Sequence, residues 1–130
     1  MIHEVLQPAG WARPRGYANG IAARGRQVYI AGQIGWDAQG RFQSHGFADQ
    51  VRQALQNIVE VLAEAGGRPE HLVRLTWYVT SRDEYNASLA EIGASWRELI
   101  GRHYPAMSVV VVAGLLESRA KVEIEATAVV

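Results

Sequence analysis

Glu123 and Glu125 alternate with Val122, Ile124 and Ala126, a spacing that sends both carboxylates out of one face of a strand and the apolar side chains out of the other. A carboxylate so placed can take a proton from water as a general base and return it as a general acid. The plainer alternative is a strand face that is merely solvated or salt-bridged. Tyr17 follows a glycine and could donate to, or stack on, a ligand at a cleft mouth; otherwise it is a half-buried aromatic with its hydroxyl in water. Ala31-Gly32-Gln33 ends a strand in a glycine, which lets a ligand come close to the backbone, or else marks a bulge leading into Gly35-Trp36.

Other chemistries lack their residues. There is no glycine-rich phosphate loop and no Gly-x-Ser-x-Gly elbow, and His3, His45, His71 and His103 lack the spacing of metal ligands, so no metal or cofactor is expected. The chain has no Cys, which removes a thiolate nucleophile, a zinc-thiolate site and any disulfide. Thirteen basic and 13 acidic residues cancel, so nothing in the balance draws the protein to nucleic acid or to an anionic membrane. A small-molecule ligand is the expected partner. Met1 to Leu6 has no basic segment followed by an apolar stretch, and a cytoplasmic location is expected.

The elements that position these groups are legible in outline. The 130 residues fit one domain, 1–130. Gln27 to Ala31 reads as a strand, and Asp37-Ala38-Gln39-Gly40 as a turn into Arg41-Phe42-Gln43, together a hairpin. Val51, Leu55, Ile58 and Leu62 recur at helical spacing, and Gly66-Gly67 then Pro69 stop that helix. From Leu72 to Thr80 the residues alternate, with Val73, Leu75, Trp77 and Val79 on one face. Ser81 to Glu84 reads as a capping box opening a second helix with the stripe Tyr85, Leu89, Ile92, Trp96 and Leu99. Val109 to Val112 is apolar on both faces and is expected to be buried on both. Gln7 to Gly20, with its prolines and glycines, reads as an irregular surface segment. This order implies an α+β domain with two helices on one face of a mixed sheet. The other face is too apolar to be left in water, and self-association is the expected cover.

Tyr17, Ala31-Gly32-Gln33, Gln50 and Asn57 on a helix, Ala65-Gly66, Thr76-Trp77-Tyr78, Pro105-Ala106 and Glu123-Ile124-Glu125 together resemble the RidA (YjgF/YER057c/UK114) family over nearly the whole chain. The resemblance implies a six-stranded, chorismate-mutase-like sheet and a homotrimer with small-molecule clefts between subunits. It gives Glu123 the role of positioning the water that attacks an imine carbon. Tyr17, Gly32, Gln33, Met107 and Val109 would line the ligand site. The best-known members carry, after Pro-Ala, an arginine that clamps a carboxylate; here that position is Met107, and Tyr17 sits in Arg-Gly-Tyr-Ala rather than Gly-Pro-Tyr-Ser.

A charge-assisted hydrogen bond of that kind contributes about 1.5–3 kcal/mol. Methionine offers neither charge nor donor, so a cleft lined by Met107 with Tyr17 or Trp36 would favour a less polar ligand. Arg13, Arg15, Arg74 and Arg119 are candidates to replace the missing cation. Three functions follow: hydrolysis of a reactive imine or enamine that need not carry a carboxylate, non-catalytic binding or scavenging by a trimer that has lost that chemistry, and, against the neutral charge balance, the ribonuclease or translation-inhibitor activity described for some members of the family.

Overall fold

Val51, Leu55, Ile58 and Leu62 form the fully buried stripe of helix α1 (Phe47–Glu64) in the computed structural model, which describes residues 2–130. Burying each of these side chains contributes roughly 1.5–3 kcal/mol. The helix stops where the sequence says it should. Gly66 takes φ 74°, its N–H donates to the Ala63 carbonyl and that of Gly67 to Leu62, which closes the last turn without a β-carbon in the left-handed region.

The remaining elements are strands β1 (Glu4–Leu6), β2 (Gly20–Ala22), β3 (Gln27–Gln33) and β4 (Leu72–Val79), helices α2 (Arg82–Ala87) and α3 (Leu89–Leu99), and strands β5 (Ala106–Val111) and β6 (Val122–Val129). The main sheet has four strands in the order β3-β6-β4-β5, antiparallel except for the parallel pair β4 and β5. The expected mixed sheet with helices on one face is present, but not with six strands. β1 and β2 pair only with each other, and one bridge, Ala18 to Ala106, ties this prolyl and glycyl segment to the main sheet. No helix among the described residues is long and apolar enough to cross a membrane.

Four local expectations are corrected. The turn at Asp37 to Gly40 closes a small loop through the Trp36–Phe42 bridge, while β3 itself pairs with β6 rather than with Arg41 to Gln43. In β4 the register slips between Leu72 and Arg74, so Leu72 is buried and Val73 is not fully so. A bulge of this kind shifts the faces by one residue. The second helix breaks at Ser88 into α2 and α3, where the Ser88 amide donates to the Tyr85 carbonyl and the Ser88 carbonyl accepts from the Ile92 amide. Ser81 caps α2 through the Glu84 amide at 3.1 Å, but the Glu84 carboxylate binds Lys121 Nζ at 3.2 Å instead of reaching back.

Two buried amides hold the connections that carry the site. Gln50, 1% exposed, donates to the Arg119 carbonyl at 3.0 Å and accepts from the Lys121 amide at 2.8 Å. Asn57 donates to the carbonyls of Ile34 and Trp36. Between them Gly35 lies so close to α1 that a β-carbon there would stand 2.6 Å from Gln50 Cβ. Polar side chains on an otherwise apolar helix thus position the end of β3.

The valine run departs most from expectation. In one chain β5 is an edge strand and Val109, Val110 and Val111 are 41%, 42% and 52% exposed. Beyond the Ala18 bridge no strand covers its outer side among the described residues.

Candidate functional site

Residues paired across a sheet share a face. Met107 pairs with Leu75 and Val109 with Trp77, so both belong to the helix-covered face. Glu123 pairs with Tyr78 and Glu125 with Thr76, on the opposite face, with β4 lying between β5 and β6. The expected site residues therefore form two half-sites in a single chain.

The first is on the open face. The Glu123 carboxyl lies against Gly32, where a β-carbon would come within 2.7 Å of Glu123 Cδ. β3 and β6 lose register between Ile30 and Gln33, and the glycine of that irregularity leaves room for the carboxylate. The two acidic residues differ in their bonding. Glu125 accepts a 2.6 Å hydrogen bond from the Tyr78 hydroxyl, which, with the nearby negative charges, holds the Tyr78 phenol above its usual pKa. Glu123 has no hydrogen-bond or ion-pair partner among the described residues. Gln33 sits beside this pair but turns its amide to the Ala31 carbonyl at 3.1 Å.

The second half-site is a cavity of about 520 Å³ on the helix side, where Tyr17, Met107 and Val109 come together. Trp36 is not part of it and packs on Phe42. Its walls are residues that read in the sequence as plain core. Tyr85, Trp77, Trp96 and Tyr104 form a ladder, edge-on at the first step and stacked at the next two, with centroids 6.4, 6.4 and 6.2 Å apart. Leu89, Gly93, Trp96 and Arg97 present one face of α3 to it, and Arg15 comes from the N-terminal segment. The one sequence signal for this wall was a glycine inside a helix, which costs about 1 kcal/mol relative to alanine and needs a reason.

Polar groups in this cavity are few. Burial raises the Tyr85 phenol pKa. Trp96 donates its indole N–H to the His103 carbonyl at 3.0 Å. Trp77, 3% exposed, has no acceptor for its own indole N–H, and a buried donor left unmatched costs about 1–3 kcal/mol. Of the arginines considered as replacements for the missing cation, Arg119 is taken up by Glu117 and lies over the Phe42 ring. Arg74 borders a smaller pocket with Tyr17, Met107 and Ser108. Arg15 alone among the four lines the helix-side cavity, joined by Arg97, which the sequence did not single out.

Residues 11–130 match the family described as Endoribonuclease L-PSP. The chain belongs to the RidA (YjgF/YER057c/UK114) family. It is 31% identical over 105 residues to the human 2-iminobutanoate/2-iminopropanoate deaminase, covering 80% of this chain and 73% of that protein. A RutC family protein of Pyrococcus horikoshii is 32% identical over 129 residues, 98% of each chain. Among solved structures, a Rid family protein of unknown function from Yersinia pestis, YyfB, superposes with a TM-score of 0.88 at 32% identity over 100% of both chains. The α+β fold of this chain is that of the Rid family.

Proposed function

We propose that this RidA family member hydrolyses a reactive imine or enamine in a cleft completed between copies of the chain, with Glu123 as general base and then acid. The observation that carries this reading is the contrast between the two carboxylates: Glu125 is occupied by Tyr78, whereas Glu123 is unpartnered and seated on a glycine that leaves it space. Water adds to the imine carbon while Glu123 takes its proton. Glu123 passes that proton to the nitrogen, and the resulting carbinolamine loses its C–N bond as Glu123 takes the hydroxyl proton and the nitrogen receives a second one, giving a carbonyl compound and ammonia. Deaminase names among the relatives support the reaction class.

The two half-sites lie on opposite faces of one sheet, so a complete site requires a second copy to bring its Glu123 to the Met107 cavity. A homotrimer with such clefts accounts for the bare edge of β5. The substrate is an imine whose carboxylate, if it has one, is not clamped at position 107. Its contacts would come from Tyr17, Gly32, Gln33, Met107 and Val109, the residues expected to line the site.

Ammonia release from imines generated in place tests the assignment. Glu123→Ala should lower the rate by about 100-fold or more, the scale of a lost general acid-base group. Equal rates for variant and parent discard it. The replacement of the arginine by Met107 favours a second reading, a binding module without turnover, which a ligand that raises Tm but releases no ammonia would support. RNA cleavage finds no basic stripe in the balanced charge of the chain.

A further inference from the structure

The helix-side cavity has features that the hydrolytic reading leaves unused: four aromatic rings, a helical glycine and two free cations. A small aliphatic imine has no need of such walls. The ladder of Tyr85, Trp77, Trp96 and Tyr104 presents ring faces and edges, and Met107 replaces a charged side chain with a polarizable one that packs against rings. Gly93 leaves one wall without a side chain. A β-carbon there would lie 3.3 Å from an Arg97 guanidinium nitrogen, so Arg97 folds back along α3 over this gap.

Arg97 and Arg15 both border the cavity, both are exposed, and neither forms an ion pair or hydrogen bond among the described residues. Nearby, Glu98 holds Arg52 and Glu84 holds Lys121, while Arg74, beside Tyr17 and Met107 in the adjoining pocket, has no ion pair or hydrogen bond among the described residues. The cavity therefore has an apolar aromatic interior and a positive rim. A volume of about 520 Å³ is of the size that takes a ligand with a ring.

We infer that the substrate is an aromatic 2-imino acid, its ring held in the Trp77, Trp96 and Tyr104 box and its carboxylate met by Arg97 and Arg15 at the rim instead of by a residue at position 107. This rests on the hydrolytic reading and names its substrate class. The cationic anchor has moved from β5 to α3 and the N-terminal segment. Val109 lines the cavity and belongs to the bare edge strand, so the mouth opens where another copy would bring Glu123.

Phenylpyruvate and pyruvate, the stable oxo counterparts of an aromatic and a small 2-imino acid, test this by calorimetric binding to the full chain. Phenylpyruvate should bind at least about tenfold more tightly than pyruvate. Arg97→Gln, at an exposed position, should weaken phenylpyruvate by about tenfold, the scale of one charge-assisted hydrogen bond, while leaving neutral phenylacetone within about twofold. Gly93→Leu should weaken both ring-bearing compounds. Equal affinity for pyruvate and phenylpyruvate, or phenylpyruvate binding indifferent to Arg97→Gln, overturns the inference. Binding does not depend on turnover: loss of ring selectivity with an intact Glu123 effect on ammonia release sinks the substrate class alone, and the reverse pattern sinks the hydrolytic reading alone.

Discussion

The carboxyl group of Glu123 stands over Gly32, close enough that a β-carbon on Gly32 would come within 2.7 Å of Glu123 Cδ. A residue on β6 is thereby dependent on the absence of a side chain on β3. The irregular register between Ile30 and Gln33 makes the approach possible.

Gly32→Ala should displace Glu123 without unfolding the chain. Imine hydrolysis is expected to fall by about tenfold or more, since a small misplacement of a catalytic group is costly, while the stability change stays near 1 kcal/mol. Ammonia-release rates compared with the thermal midpoint of the same variant check this. A fully active Gly32→Ala protein would show that the carboxylate does not need its seat.

Restoring a cation at the strand position is the complementary change. Met107 packs against the core beside Tyr17, so Met107→Arg must place its guanidinium at the cavity and should lower stability by about 1–3 kcal/mol. Activity on 2-aminoacrylate-type substrates should rise in return. Denaturant midpoints and ammonia release on a three-carbon imine measure the two effects, and no gain on that substrate would mean that other cleft positions have diverged as well.

The bare edge of β5 makes a prediction about assembly. Three adjacent valines that are between 41% and 52% exposed form the kind of open, apolar edge that invites a strand or face from another chain. Val111→Lys should shift the protein to lower mass in light scattering and reduce activity in parallel, because the same packing completes the cleft. A parent protein that scatters as a monomer at micromolar concentration would remove the basis for a shared site.

His103 sets a pH limit. It is buried, its Nε2–H donates to the Leu72 carbonyl at 2.7 Å, and desolvation, followed by the effect of His3, lowers its pKa while the Leu72 bond and Glu70 act the other way. The unfolded chain then binds the proton more readily than the folded one. Stability is full above the ordinary imidazole value of about 6.5 and declines as pH falls below it toward the depressed folded value. Thermal midpoints should drop as pH falls below about 6.5, before the paired carboxylates Glu98 and Glu117, whose pKa values are also lowered, begin to titrate. His103→Asn should flatten the upper part of that decline.

Periodicity by itself determined α1, with Gly66 at its end, the long alternating β4 and the strand that carries Glu123, because each is specified by neighbours three, four or two residues away. It also marked Ser81 as a cap and placed the helices on one face of a mixed sheet. The match of spaced motifs gave the family, which the whole-chain superposition on the Yersinia pestis protein shares. Sequence could not show the Leu72 bulge, since one extra residue in a strand changes no local pattern while it puts Leu72 rather than Val73 on the buried face with Leu75, Trp77 and Val79.

What tertiary structure decided is which groups meet. Glu123 and Glu125 have the same sequence character, yet a tyrosine one strand away occupies one and a glycine two strands from that tyrosine makes room for the other. Trp77 and Trp96 read as core and are core, but the same burial that stabilises them also walls a cavity. Whether an aromatic ring fills a core or lines a pocket depends on the side chains absent opposite it, Gly93 among them. That depends on distant segments arriving in register, which no local window of sequence contains.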